Sequence, residues 1–194
     1  FCRRFIINNM RKHVDFLVIG SGIAGLSFAL KAAKKGKVCI ITKNSAEETA
    51  TKYAQGGIAA VTYTPDTYEK HIQDTLIAGD DLNDEKIVRL TITEAPERVK
   101  ELVEWGVEFD KTESGKYDLA REGGHSEFRV LHYKDQTGLE IERTLLRQAR
   151  ENTNIEILEN HFTVDILTQH HLGMEVNRST PDLTCYGAYV LDKV

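Results

Sequence analysis

The chain has 194 residues, 41% of them hydrophobic and 28% charged, which is enough to build one globular domain and excludes a disordered, collagenous or coiled-coil protein. The longest uncharged stretch, residues 16–30, is too short and too rich in glycine to cross a bilayer. A net charge of −5 without a basic stripe argues against nucleic-acid binding, and three scattered cysteines argue against a disulfide framework and favour the cytoplasm.

The first twelve residues precede every predicted element. They lack the apolar core and the small-residue cleavage site of a secretory signal. We expect residues 1–12 to be a leader or an expression remnant, with Met10 as the biological start. Residues 13–194 are then the folded part of the chain.

A strand, a glycine turn, a helix and a second strand come next. Phe16–Ile19 is a short apolar run that ends in glycine, typical of a strand buried on both faces of a parallel sheet. Apolar residues then recur at helical spacing from Leu26 until Gly36, which is placed to end a helix. Val38–Ile41 is the second apolar run, so the segment predicts one βαβ unit with two parallel neighbouring strands.

The rest of the chain predicts a long loop followed by helices and short strands. Residues 44–57 show no period and indicate an ordered loop. Pro96 suits the first turn of a separate helix that ends at Gly106. The other helices are predicted over residues 67–78, 85–94 and 137–150, and the strands over residues 117–120, 129–131, 155–158, 162–167 and 186–191.

The glycine turn after the first strand has the spacing of a dinucleotide-binding motif. Gly20 permits a tight turn, Gly22 lets a pyrophosphate approach the backbone, and Gly25 lets the helix lie close to the strand. The phosphates would then meet free N–H groups at the helix amino terminus. The predicted phosphate site comprises Gly20, Ser21, Gly22, Ile23, Ala24 and Gly25.

The end of the second strand departs from an ordinary NAD site. Such a strand normally ends in an acidic residue that binds a ribose hydroxyl, but here it ends in Thr42 and Lys43. Lys43 therefore indicates either the 2′-phosphate of NADP or the different adenosine pose of one branch of flavoproteins.

The segment Tyr53–Ala60, YAQGGIAA, resembles the flavoprotein family of fumarate reductases, succinate dehydrogenases and L-aspartate oxidases. Residues 71–79, 106–110, 121–132 and 135–138 are similar to the L-aspartate oxidase branch of that family. The resemblance implies an α/β, Rossmann-like FAD-binding domain with a parallel central sheet, truncated before the capping domain.

In that family the A-Q-G-G loop, here residues 54–57, lies against the flavin, so the resemblance implies FAD as the cofactor. Many relatives carry a histidine, bonded covalently to the flavin, where this chain has Ala50, and we therefore expect non-covalent FAD with its ribose near Lys43. The implied flavin contacts are Ala50, Thr51, Lys52, Tyr53, Ala54, Gln55, Gly56 and Gly57.

The resemblance also implies a reaction. L-aspartate would lose a hydride to the flavin and become iminoaspartate, which quinolinate synthase uses on the way to NAD, and oxygen or fumarate would reoxidise the flavin. Glu122 occupies the family position that orients the substrate ammonium group. The family's remaining substrate residues are expected beyond Val194, so we expect the isolated chain to be inactive.

Two alternatives stay open, namely the flavoprotein of a fumarate or succinate oxidoreductase and a non-catalytic nucleotide-binding fragment. His125 and Ser126 beside the double glycine either line the substrate pocket or have a structural role. The remaining histidines, including the pair His170 and His171, lack ligand spacing with Cys, Asp or Glu, so the sequence predicts no metal site.

Overall fold

The computed structural model describes residues 11–80 and 82–193, so the expectations for residues 1–10 lie outside the described residues. In chain order the elements are β1 Phe16–Ile19, α1 Ile23–Ala32, β2 Val38–Ile41, β3 Ile58–Ala59, α2 Tyr68–Ala78, α3 Glu85–Glu104, β4 Leu119–Ala120, β5 Val130–Leu131, α4 Thr137–Glu151, β6 Ile155–Leu158, β7 His161–Leu167 and β8 Gly187–Asp192. A short 3-10 helix, Gln169–Leu172, lies between β7 and β8. None of the described helices combines the length and the apolar character needed to cross a membrane.

The main sheet has the strand order β1-β2-β6, and both pairs of neighbours are parallel. Ile19 lies opposite Ile41, and Ile41 lies opposite Leu158, so the three carboxyl ends meet at one edge of the sheet. The predicted parallel pairing of the first two strands is confirmed. In α/β sheets of this kind, ligands bind at the carboxyl edge.

The two predicted apolar strands are not equally buried. All four residues of β2 are buried, because β2 is the central strand of the sheet. In β1 the prediction of burial on both faces is wrong, since Leu17 is 37% exposed and Ile19 is 53% exposed. β1 is the edge strand of the described sheet, and only its Phe16 and Val18 side joins the core with α1 and α4.

Helix α3 runs without interruption through Pro96, so the prediction of two separate helices here is wrong. A proline inside a helix removes one backbone hydrogen bond and crowds the preceding turn. Ile92, Val99 and Leu102 lie on both sides of that point, and all three are buried. Their common burial explains why packing keeps the helix continuous. The helix then ends before Gly106, which has a φ of +97°.

A second, smaller sheet has the antiparallel order β3-β5-β4, and β7 and β8 form a separate antiparallel pair. Strand β3 was not predicted. It has only two residues, Ile58 and Ala59, and it exists because they pair with Leu131 and Val130. This pairing fixes the position of the segment that follows Gly57.

Two buried glutamates on α4 differ in their surroundings. Glu140 accepts hydrogen bonds from Thr144 and from the Glu108 amide, and it pairs with Arg143 at 2.7 Å. Glu142 is 2% exposed, and neither carboxylate oxygen has a hydrogen-bond partner among the described residues. Burial raises the pKa of Glu142 from 4.5 to about 7, with the nearby Thr49 side chain opposing the rise.

We predict that Glu142→Gln stabilises the full-length protein above neutral pH. Because the folded-state pKa lies above the unfolded value, ionised Glu142 destabilises the fold increasingly as pH rises from 4.5 through 7. The full cost above pH 7 is roughly 3 kcal/mol. The thermal midpoint of Glu142→Gln should exceed that of the parent by several degrees at pH 8, with little difference at pH 4.5.

Glu140→Gln is the matched control for this prediction, since it makes the same change two residues away on the same helix. It breaks the Arg143 pair and should lower the thermal midpoint at pH 8. If Glu142→Gln lowers the midpoint as Glu140→Gln does, then Glu142 is stabilised by a partner and the interpretation fails.

Candidate functional site

The turn between β1 and α1 leaves the amino terminus of the helix open to an anion. Gly20 has a φ of +100°, and its amide donates a 2.8 Å hydrogen bond to the Ile41 carbonyl. A Cβ on Gly25 would lie 2.1 Å from the Gly20 carbonyl oxygen. The cap residue, Gly22, supplies no side-chain bond, and the first helical turn carries no acidic residue. These features fit a phosphate group at the helix amino terminus.

The loop of residues 50–57 is held against that helix terminus. The Thr51 hydroxyl accepts a 3.1 Å hydrogen bond from the Ile23 amide, and a Cβ on Gly22 would lie 3.2 Å from the same oxygen. At the far side of the loop, Gly138 of α4 donates a 2.9 Å hydrogen bond to the Ala54 carbonyl. A Cβ on Gly138 would lie 1.9 Å from the Thr51 carbonyl oxygen, so no larger residue fits without displacing the loop.

The rest of the loop presents backbone and polar groups at the surface. Ala50 and the segment from Tyr53 to Gly57 are exposed, Tyr53 by 62%. A Cβ on Gly57 would lie 2.2 Å from the Leu131 carbonyl oxygen, which explains the requirement for glycine where the loop enters β3. The loop is thus a fixed and exposed strip along which a flat ring can lie.

Lys43 is the third predicted cofactor-binding feature at the carboxyl edge of the main sheet, after the glycine turn and the 50–57 loop. It follows β2 directly and is exposed, as Asn44 and Ser45 are. The parallel register places it beside the glycine turn, because Ile19 and Ile41 are opposite each other. The structure therefore brings the glycine turn, Lys43 and the start of the 50–57 loop to one edge, as a phosphate, a ribose and a ring of one dinucleotide require.

Glu122 lies elsewhere, in the loop that joins β4 to β5. Its side chain is exposed and makes no hydrogen bond or ion pair within residues 11–80 and 82–193. A bond from the His125 amide to the Glu122 carbonyl closes the turn at 3.2 Å, and Gly124 has a φ of +85°. This turn and Gly57 lie at opposite ends of the same small sheet.

Sequence reasoning missed a buried charge cluster beneath this turn. The Arg129 side chain is fully buried and donates two 2.8 Å hydrogen bonds to Asp66, which is buried too. A third bond from Arg129 goes to Asp74 of α2. Asp74 and Arg129 lie in the segments 71–79 and 121–132 that carry the family resemblance. The one sequence feature that pointed to a buried charge was an arginine between two apolar residues at the start of a strand.

Ser126 belongs to this cluster, so the structure favours the structural alternative over a pocket-lining role for this residue. His125 packs edge to face against His71 of α2, with ring centroids 5.6 Å apart. Burial and the nearby Arg129 charge lower the pKa of His71. The Nδ1 atoms of both rings are buried and have no hydrogen-bond partner among the described residues.

One group of described residues has side-chain ligand atoms close enough together to hold a metal ion. It consists of Asp165, His170 and His171, with all ligand atoms within 4.8 Å of one another. The group is exposed, and the imidazole Nε2 atoms lie 3.6 and 3.2 Å from the Asp165 carboxylate, as in ordinary ion pairs. We assign no ion to it.

Comparison with known proteins identifies the architecture. The profile of the FAD-binding domain family matches residues 15–193. This chain belongs to that family. FAD is therefore the cofactor, and the choice between NADP and a flavoprotein that Lys43 left open is settled in favour of a flavoprotein.

Curated relatives of this chain carry the name L-aspartate oxidase. The chain is 49% identical over 181 residues to a protein of Oryza sativa subsp. japonica named L-aspartate oxidase, chloroplastic, which covers 93% of this chain. It is 45% identical over 193 residues to the L-aspartate oxidase of Vibrio cholerae, which covers 96%. The chain spans only 27% and 35% of the lengths of these two relatives.

A solved structure of E. coli quinol fumarate reductase matches the fold with a TM-score of 0.74 and 30% identity, covering 79% of this chain and 27% of that one. The wider flavoprotein family proposed from the YAQGGIAA segment is thereby confirmed.

We predict that Gly138→Ala weakens FAD binding by the full-length protein, although Gly138 lies outside both predicted cofactor segments. The added methyl would meet the Thr51 carbonyl oxygen and push the 50–57 loop away from the amino terminus of α4. Overpacking of this kind costs about 1–3 kcal/mol, and if all of it falls on the FAD complex, the Kd for FAD rises roughly 5- to 150-fold.

Titration of the apoprotein with FAD, followed by flavin fluorescence, measures this change. Gly123→Ala is the control, since it makes the same change in another loop and its Cβ would meet no atom within 4 Å. Equal FAD affinity in Gly138→Ala and the parent would show that the loop does not depend on this contact.

Proposed function

We propose that this chain is the amino-terminal part of the FAD-binding domain of an enzyme that oxidises L-aspartate to iminoaspartate, with residues 13–194 as that part. The observation that carries the proposal is the 45–49% identity to proteins named L-aspartate oxidase, which extends across nearly the whole chain. The Glu122 turn lies inside the matched region.

Bound FAD supplies the two-electron redox chemistry, and the chain supplies binding and orientation. Amide groups at the start of α1 would bind the pyrophosphate, and Lys43 would lie beside the ribose. The backbone of Gly56 and Gly57 would lie along the ring, with the Gln55 amide able to bond its polar edge. The contacts of Thr51 with Ile23 and of Ala54 with Gly138 keep this loop fixed while substrate and product exchange.

Glu122 acts on the substrate. An amino acid brings an ammonium group that dicarboxylates lack, and an unpaired carboxylate selects for it by a charge-assisted hydrogen bond. Glu122 is exposed here, so its charge is available to a ligand. Once the rest of the protein covers the site, the pair is removed from water and strengthened.

The partners follow from the reaction. Oxygen or fumarate would serve as the electron acceptor, and quinolinate synthase would consume iminoaspartate in the first stage of de novo NAD biosynthesis. We place the enzyme in the cytoplasm, while the rice relative carries a chloroplastic name. The buried free thiol of Cys39 agrees with a reducing compartment.

The second candidate function is that of a fumarate or succinate oxidoreductase flavoprotein. The likeness to E. coli quinol fumarate reductase favours it. The alanine at position 50 and the lower identity of that match place it behind the oxidase.

We expect FAD to be held without a covalent bond, because Ala50 offers no nucleophile to the ring. Acid precipitation of the full-length protein should leave the yellow flavin in the supernatant. Ala50→His in the same protein is the informative variant, since it restores the side chain that could form a link. Flavin retained in the parent precipitate would contradict the expectation.

The role of Glu122 has a sharper test. Glu122→Gln keeps the size of the side chain and removes its charge. A lost charge-assisted hydrogen bond costs roughly 1.5–3 kcal/mol, or about 10- to 100-fold in kcat/KM for L-aspartate. Fumarate has no ammonium group, so its reduction should change by less than about 3-fold. Equal losses in the two assays would mean that Glu122 does not bind the ammonium group.

A further inference from the structure

One carboxylate oxygen of helix α2 accepts three hydrogen bonds at the turn that carries Glu122. Oδ2 of Asp74 accepts hydrogen bonds from the Ser126 amide and from the Ser126 hydroxyl, each at 2.8 Å. The same oxygen accepts a third bond from Arg129. Asp74 is only 13% exposed, so water competes little for these bonds.

The negative charge of Asp74 is not needed to neutralise Arg129. Asp66 already forms a two-bond pair with that guanidinium, and both side chains are fully buried. Asp74 therefore adds a second negative charge to a neutral pair. Burial acts to raise the pKa of Asp74, yet the bonds from Ser126 and Arg129 lower it overall, so the carboxylate stays ionised and keeps its hold on Ser126.

Among the described residues, the other attachments of the turn to α2 are one ring contact, His125 against His71, and one ion pair. Gly123 and Gly124 have no side chains to pack, and a Cβ on Gly123 would touch nothing. The Lys70–Glu127 ion pair is half exposed on its lysine side, where such pairs contribute little. The bond from the His125 amide to the Glu122 carbonyl then ties the turn to the anchored segment.

We propose that Asp74 is a positioning residue for substrate selection, acting through Ser126 to hold the Glu122 carboxylate where the substrate ammonium group binds. The inference rests on the proposed function, because it assigns Asp74 a role only through Glu122. Asp74 itself touches neither substrate nor cofactor. Its loss should therefore weaken the binding of L-aspartate while leaving the redox step intact.

Asp74→Asn in the full-length enzyme is the central variant. The amide keeps the shape and one acceptor oxygen but loses the charge, so the Ser126 bonds weaken. KM for L-aspartate should rise about 10-fold while kcat stays within about 2-fold of the parent value. The reason is that the enzyme loses the same binding energy for the substrate and for the transition state. Fumarate reduction should stay within about 2-fold of the parent.

A double variant tests whether Asp74 acts through Glu122. Asp74→Asn combined with Glu122→Gln should be no worse for L-aspartate than Glu122→Gln alone, because the positioned charge is already gone. Ser126→Ala, which keeps the backbone bond, should give a smaller effect in the same direction. Glu69→Gln is the matched control, since it also replaces a carboxylate by an amide on α2. Glu69 pairs with Arg89 and not with the turn, so this variant should leave the ratio of L-aspartate oxidation to fumarate reduction unchanged.

Amide hydrogen exchange of residues 121–127 provides a readout that does not depend on turnover. These amides should exchange about 10-fold faster in Asp74→Asn than in the parent, while α4 stays unchanged. Unchanged exchange in the turn overturns the inference, as do equal losses of both activities or additive losses in the double variant. Failure of the proposed function is seen separately, as a Glu122→Gln variant that does not discriminate L-aspartate from fumarate.

Discussion

The structure depends on one close backbone contact, where the loop of residues 50–57 lies between the amino termini of α1 and α4. Thr51 bonds to the start of α1, and Gly138 approaches the Thr51 carbonyl so closely that a Cβ would lie 1.9 Å from it. Because Gly138 has no side chain, one loop can contact both helices at once. The candidate dinucleotide site is therefore built from three segments that are far apart in the chain.

Two buried ionisable side chains, Arg129 and Glu142, differ in whether they have partners. Arg129 is fully buried but fully paired, and its cluster stabilises the β4–β5 turn and its attachment to α2. Glu142 is nearly as buried and lacks partners, so it gains protons instead, with a pKa of about 7. A buried charge is tolerated only when its hydrogen-bonding capacity is met, and otherwise it is neutralised.

Under the proposed function, the two sheets would divide the cofactor and substrate roles. The carboxyl edge of the parallel sheet carries the predicted phosphate and ribose residues, whereas the small antiparallel sheet connects Gly57 at one end to the Glu122 turn at the other. Because β3 begins where the 50–57 loop ends, a shift of that loop would move the small sheet and the Glu122 turn with it. The proposed cofactor and substrate positions would then be coupled through one short stretch of backbone.

Local patterns determined much of this protein. The apolar runs of β1 and β2, the glycine spacing between them and the YAQGGIAA segment were sufficient to predict the βαβ unit, the FAD cofactor and the family, because each depends on residues that are close in sequence. The non-covalent binding of FAD and the role of Glu122 were inferred from single positions, and both remain predictions.

Only the tertiary structure decided the rest. Packing of Ile92, Val99 and Leu102 kept α3 continuous through Pro96, and the edge position of β1 left Leu17 and Ile19 exposed. The contacts of Asp74 with Ser126 and of Gly138 with Thr51 join residues separated by 52 and 87 positions. No local periodicity encodes such pairs, since they arise from the burial of whole elements against one another.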